Sequence, residues 1–258
     1  MKSSAKSSSE IEMMREGGKR LSQILKQVAS AVRPGVETRE LDTLAERLIR
    51  EGADEPAFLH YKADFSPKSF PATLCVSIND EVVHGIPSAR KLIEGDIVGL
   101  DLGLIHEGLI TDMAVTLPVG KINAPDARLL EVTKHALKVG VHVVRQGAHL
   151  GDIGAAIENV VRPAKFSIVE ELGGHGVGYK VHEPPFIAHT GKAGMGEKLE
   201  VGQTIAIEPM VNAGSKEVIF DETDGYTVRT RDGKKSAHFE VTLAVTKNGA
   251  DVLTPIFW

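Results

Sequence analysis

The chain has 258 residues, 42% of them hydrophobic, which is enough core material for one large domain or two small ones. A net charge of −5 without any basic block argues against nucleic-acid binding, and the single cysteine, Cys75, excludes an intrachain disulfide and fits a reducing, cytoplasmic setting. No apolar run approaches the ~20 residues of a membrane span, and residues 1–9, rich in Ser and Lys without an apolar stretch, read as a disordered tail rather than a secretory signal.

Ser9 and Glu12 have capping-box spacing, and Ile11, Met14, Leu21, Ile24, Leu25, Val28 and Val32 recur at helical intervals. Gly17-Gly18 weaken this helix near its start, and Arg33-Pro34-Gly35 end it. A second helix follows Thr38, with Leu41, Leu44, Ala45, Leu48 and Ile49 on one face and Gly52 as its stop. Residues 56–71 are irregular and Pro-punctuated, which predicts a loop. Strands are predicted at 74–78, 97–104 and 109–119, the last two joined as a hairpin through Ile105-His106-Glu107-Gly108. A long helix is predicted over about 125–145 and another from Gly151-Asp152 to Pro163; a Gly/Pro-rich stretch then runs from 170 to 202, before strands at 204–211, 226–231 and 238–246.

An internal repeat organises these elements. Arg33-Pro34-Gly35 with Leu41, Ala45, Leu48 and Ile49 matches Arg145-Gln146-Gly147 with Ile153, Ile157, Val160 and Val161 at a constant offset, and later Gly95–Asp101 matches Gly202–Glu208. Each half, about 10–120 and 121–258, thus reads as two helices followed by a strand that carries a carboxylate. Chance likeness of amphipathic helices accounts for the first match alone, and less well for both in the same order.

Asp101, Asp112, Glu208 and Glu240 each sit in an apolar strand-like run, where a lone carboxylate is costly to bury. With the hairpin turn centred on His106-Glu107, Asp101 and Asp112 fall opposite each other on one face, and a divalent cation between them would convert repulsion into attraction. One such aspartate would suit a solvated edge; the pair plus the repeat-matched Glu208 favours metal. His175, between glycines in Gly-Gly-His-Gly-Val-Gly, can be aimed closely by its backbone. His182 before Glu183-Pro184-Pro185 and His84 in Val-Val-His-Gly-Ile-Pro would be ordinary loop residues if each stood alone. Hard oxygen donors with one imidazole suit two divalent first-row ions, an arrangement able to activate a water.

The order and spacing of His84, Asp101, Asp112, His175, His182, Glu208 and Glu240 resemble the type I methionine aminopeptidases, the short bacterial-like form within peptidase family M24. The resemblance spans nearly the whole chain. It implies an α/β, pseudo-two-fold "pita-bread" fold, with antiparallel sheet and helices on one face, and a single catalytic domain over 10–258. It also implies a dinuclear site of Co, Mn, Fe or Zn held by Asp101, Asp112, His175, Glu208 and Glu240, with Asp112 and Glu240 shared between the ions. His84 and His182 become catalytic residues beside the substrate, with Glu208 moving the proton. A monovalent cation, Na or K, is implied near Asn79 and Ser236. The implied substrates are N-termini of nascent polypeptides whose second residue is small, met at the ribosome by a monomer that binds neither nucleic acid nor membrane.

Phe58, Tyr61, Cys75, Val181 and Tyr226 match the residues that line the family's methionine pocket. Val181 replaces a common phenylalanine and Tyr226 a common tryptophan, Val83 replaces the familiar cysteine before His84, and the segment 61–75 is longer than usual. The smaller wall residues predict a looser pocket, unless Phe58 or the longer loop refills it. Two rival readings are a prolidase-like or other aminopeptidase of the same fold, which would usually carry a further N-terminal domain, and a non-catalytic binding relative, which would tend to lose ligand positions.

Overall fold

The computed structural model describes residues 5–63 and 66–258. In chain order these residues form helices α1 (Ser8–Ser30) and α2 (Thr38–Glu51), then strands β1 (Glu55–Pro56), β2 (Leu74–Ile78), β3 (Glu81–Val83), β4 (Ile97–His106) and β5 (Leu109–Pro118). Helices α3 (Ala124–His142) and α4 (Leu150–Val161) follow, then strands β6 (Ser167–Ile168), β7 (Gly174–Gly176), β8 (Glu183–Ile187), β9 (Thr204–Ile207), β10 (Met210–Asn212), β11 (Val218–Phe220), β12 (Val228–Thr230), β13 (Ser236–His238), β14 (Val241–Val245) and β15 (Ala250–Val252). All pairings are antiparallel. β1, β2 and β5 pair with β4; a second sheet runs β15-β14-β9-β7-β8; two small sheets are β13-β10-β6 and β11-β12-β3. Helix α1 packs on β4 and β5, α2 on β2, and α3 on α4, β5 and β9. One apolar core joins them, with Leu21, Leu41, Leu100, Leu129, Ile157, Ile205 and Phe239 all fully buried.

The chain start differs from the sequence expectation. Ser7, not Ser9, caps α1, in a reciprocal box with Glu10, while Glu12 pairs with Arg15 instead. Residues 5–9 are anchored through Lys6 rather than forming a disordered tail: Lys6 donates its backbone N–H to Gly202 O at 2.8 Å and buries its side chain against Glu183, a partner that no local reading can see. Residues 1–4 of the expected tail lie outside the described residues. Gly17 and Gly18 are a contact surface in mid-helix, since a Cβ on Gly18 would stand 2.1 Å from Leu253 O.

The β4–β5 hairpin closes on His106↔Leu109, with Glu107 and Gly108 as the two turn residues, both at positive φ (48° and 80°). The turn centre is thus one residue later than His106-Glu107. Asp101 consequently faces Ala114 and Asp112 faces Gly103, so the two carboxylates are diagonal neighbours on one face rather than directly opposed. Two expected strands are also broken. Residues 204–211 divide at Glu208-Pro209, where proline has no N–H for the ladder, and residues 238–246 divide at Phe239-Glu240. Glu208 and Glu240 therefore sit at interruptions beside the last pair of the β9–β14 ladder, Ile207↔Val241, rather than inside strands. The Gly/Pro-rich stretch holds β7 and β8, short strands that pair with each other, while β7 also pairs with β9.

Candidate metal and active site

The site forms where β5 meets the β13–β14 segment. Thr242 Oγ1 accepts from Asp112 N–H and donates to Asp112 O, both at 2.9 Å; Glu240 N–H donates to Ala114 O at 3.0 Å. Thr116 Oγ1 makes the matching pair of bonds with the His238 backbone, at 2.7 and 2.9 Å. These cross-links fix Asp112 and Glu240 side by side. β4 brings Asp101 to the same face, and the break after β9 turns Glu208 towards them. Gly174 and Gly176 let β7 approach closely, since Cβ atoms there would stand 2.3 Å from Ala206 O and 2.2 Å from Pro184 O. His175 between them faces Glu208, with Nε2 at 3.2 Å from Oε1 and 4.0 Å from Glu240 Oε1. Its Nδ1 donates to Gly176 O at 3.0 Å, which leaves Nε2 as the free ligand atom.

The electrostatics are those of a site short of positive charge. Burial pushes the Asp101 carboxyl up to about 6 and carries Asp112 and Glu240 well above the usual carboxylate range, and repulsion among the four acids adds to this. Burial would raise Glu208 too, but the imidazoles of His175 and His238 hold it below its ordinary value. Asp101 Oδ1, Asp112 Oδ1 and Glu240 Oε1 are buried without a hydrogen-bond partner. Donor atoms of Asp112, His175 and Glu240 all lie within 4.8 Å of one another, as do those of Glu208, His238 and Glu240. Orphaned hard oxygens converging around one nitrogen are what divalent cations take, and Glu240 belongs to both groups, so the residues fit a two-ion site.

All seven residues picked from the sequence for this chemistry line one cavity, together with Phe58, Tyr61, Cys75, Val181 and Tyr226. His182 stands on the open side, its Nδ1 2.9 Å from Tyr61 OH and its ring edge-on to His175 at 4.4 Å. His84 occupies a left-handed backbone position (φ 60°), and burial lowers its imidazole to about 4. Asn79 and Ser236 lie outside the cavity. Ser236 N–H donates to Asn79 O at 2.8 Å, while the Asn79 amide is committed to Asp96 and to Ile97 N–H.

Three contributors carry no mark in the sequence pattern. His238 places Nε2 3.3 Å from Glu208 Oε2, and fully buried His189 accepts from Glu208 N–H at 3.4 Å. Both histidines lay in runs that read as ordinary strand or loop, so only the fold relates them to Glu208. The third is Phe70, from the longer loop, whose ring meets Tyr226 edge-on at 5.1 Å inside the pocket wall. Tyr226 OH in turn donates to Lys68 O at 2.7 Å. The loop thus adds a ring to the cavity wall beside Tyr226.

Comparison with known proteins agrees with this geometry. The sequence profile of Metallopeptidase family M24 matches residues 12–247. The methionine aminopeptidase 1 of Bacillus subtilis is 43% identical over 247 residues, covering 96% of this chain and 97% of its own. The crystal structure of methionine aminopeptidase from Rickettsia prowazekii superposes with a TM-score of 0.95 at 37% identity, over 98% of this chain and all of that one, so the pita-bread architecture is shared. Prolidase from Pyrococcus furiosus matches with a TM-score of 0.77 at 20% identity and only 66% of its length, a likeness of fold alone.

Proposed function

The chain belongs to metallopeptidase family M24 and, within it, to the methionine aminopeptidases, and from that premise we propose how its residues divide the work of removing an N-terminal methionine. Asp101, Asp112, His175, Glu208 and Glu240 would hold two divalent ions, Co, Mn, Fe or Zn. When bound, the ions supply Lewis-acid polarisation of the scissile carbonyl and lower the pKa of the attacking water. Glu208, kept ionised by its histidine neighbours, takes the proton from that water and delivers it to the leaving amine. His182, oriented through Nδ1 by Tyr61 OH, donates to the carbonyl oxygen as negative charge develops there. His84 steadies the scissile amide, and Phe58, Tyr61, Cys75, Val181 and Tyr226, joined by Phe70, exclude water around the methionine side chain.

The observation that carries this reading is the convergence of unpartnered carboxylate oxygens at the floor of an apolar pocket. We extend it to substrates with a small second residue, to nascent N-termini in the cytoplasm near the ribosome, to a monomeric enzyme, and to a Na or K ion beside Asn79 and Ser236. Among the described residues no helix is long and apolar enough to cross a membrane. Hydrolysis of Met-Ala-Ser, Met-Leu-Ser, Ala-Ala-Ser and Ala-Pro peptides with added Mn, Co or Fe tests substrate and metal together. Met-Ala-Ser should be cleaved fastest, chelator should abolish turnover, and Glu208→Gln should remove nearly all of it. Full activity in metal-free protein would overturn the assignment.

A further inference from the structure

His182 is carried by irregular chain between β7 and β8, so its position depends on what holds residues 177–183. Part of the hold is expected from the sheet: Val177 N–H donates to Thr204 O at 3.1 Å and Ile110 N–H to Gly178 O at 2.7 Å. The rest comes from the other end of the sequence. Lys6 Nζ is 2.7 Å from Glu183 Oε2, with 0% and 8% of the two side chains exposed, and it also stands 4.3 Å above the Tyr179 ring. Glu183 Oε1 accepts from the N–H groups of Tyr179 and Lys180 at 2.5 and 2.9 Å, so the same carboxylate gathers the loop to the ammonium. Tyr179 OH donates to Glu10 Oε1 at 2.7 Å, and Glu10 is the reciprocal partner of the Ser7 cap. Lys6 is itself pinned by its backbone bond to Gly202 O.

A buried ion pair is a costly way to stabilise a fold, because an apolar pair of similar volume serves as well or better. What a lysine gives here that an apolar residue cannot is a fixed partner oxygen on the residue directly after His182. We propose that the segment 5–10 is a strap that sets the loop bearing Val181 and His182, with Lys6 as the positioning residue acting through Glu183. This rests on the reading of His182 as the group that donates to the scissile carbonyl. The strap acts on turnover rather than on the ions, since neither Lys6 nor Glu183 is among the ligand residues. It also couples the α1 N-terminus to the methionine pocket through Val181.

The test is a double-mutant cycle on the metal-loaded full chain with Lys6→Met and His182→Ala, followed by kcat, KM and metal content, and by amide hydrogen exchange over 177–183. Lys6→Met alone should lower kcat about tenfold or more, keep two ions, and speed exchange at Tyr179 and Lys180, with Lys6→Arg recovering most of the loss. In the His182→Ala background, Lys6→Met should cause little further loss in kcat. Equal losses in both backgrounds, or unchanged kcat with unchanged exchange, would overturn the strap. If His182→Ala by itself leaves kcat intact, the role given to His182 fails instead, and the two failures are distinct.

Discussion

Phe70→Ala tests the residue that closes the wall of the proposed methionine pocket beside Tyr226. Its ring is buried against Tyr226, while the loop backbone is held independently of that ring by Phe70 N–H to Tyr61 O at 2.7 Å and His60 N–H to Phe70 O at 2.9 Å. Tyr226 is also tethered by its hydroxyl to Lys68 O and Tyr61 O. The site therefore cannot collapse freely when the ring is deleted, which is the condition under which a truncation leaves most of its volume as cavity. Buried Phe→Ala changes cost about 3–5 kcal/mol; because the ring borders an open cavity, the low end, about 3 kcal/mol, applies, or a Tm loss of roughly 6–12 °C for a chain of this size. The vacated space admits larger first residues. Each methylene accommodated in an apolar pocket is worth about 1–3 kcal/mol, so the preference for Met over Leu or Phe in kcat/KM should fall by about tenfold or more. The assay compares Met, norleucine, Leu and Phe at the first position of one peptide, with Tm alongside. An unchanged ranking in a variant that folds and holds metal would refute the assignment of Phe70 to the wall. Val181→Phe with Tyr226→Trp should in turn overpack the pocket and depress methionine cleavage rather than sharpen it.

Metal removal should matter more as pH rises. In the metal-free protein Asp112 and Glu240 have folded-state pKa values above their unfolded ones, so the folded state binds more protons there and stability falls as pH climbs; the depressed His84 and His189, both near 4, act oppositely but only below about 6.5. The Tm difference between metal-loaded and metal-free protein should therefore widen as pH rises above the ordinary carboxylate and imidazole range, and a constant gap in calorimetry would contradict it. His238→Gln, which offers an N–H donor near the place of Nε2, 3.3 Å from Glu208 Oε2, should retain far more kcat than His238→Leu at equal metal content; equal losses would mean that the imidazole only fills space. Gly18→Ala should be strongly destabilising in thermal melts despite its better helix propensity, since its Cβ meets Leu253 O; a stabilised variant would show that the contact yields.

By itself the sequence determined the four helices and the β4–β5 hairpin, which left local traces, and it singled out seven residues that the fold brings to one cavity, although His84 and His182 stood out only in combination with the others. Helical periodicity marks α1 to α4, alternation marks the hairpin, and a carboxylate in an apolar run stands out wherever it falls. Geometry was less legible. A one-residue error in the turn moved Asp101 and Asp112 from diagonal to opposed, since pairing register is set by which two residues occupy positive φ. The break at Glu240 was hidden inside an apolar run that reads as continuous strand, while the one at Glu208 had a local sign in Pro209. Lys6, Phe70, His189 and His238 left no trace at all. Their roles come from partners far away in the chain, Glu183, Tyr226 and Glu208, and only the packing of the two sheets and α1 around one core brings those partners within reach.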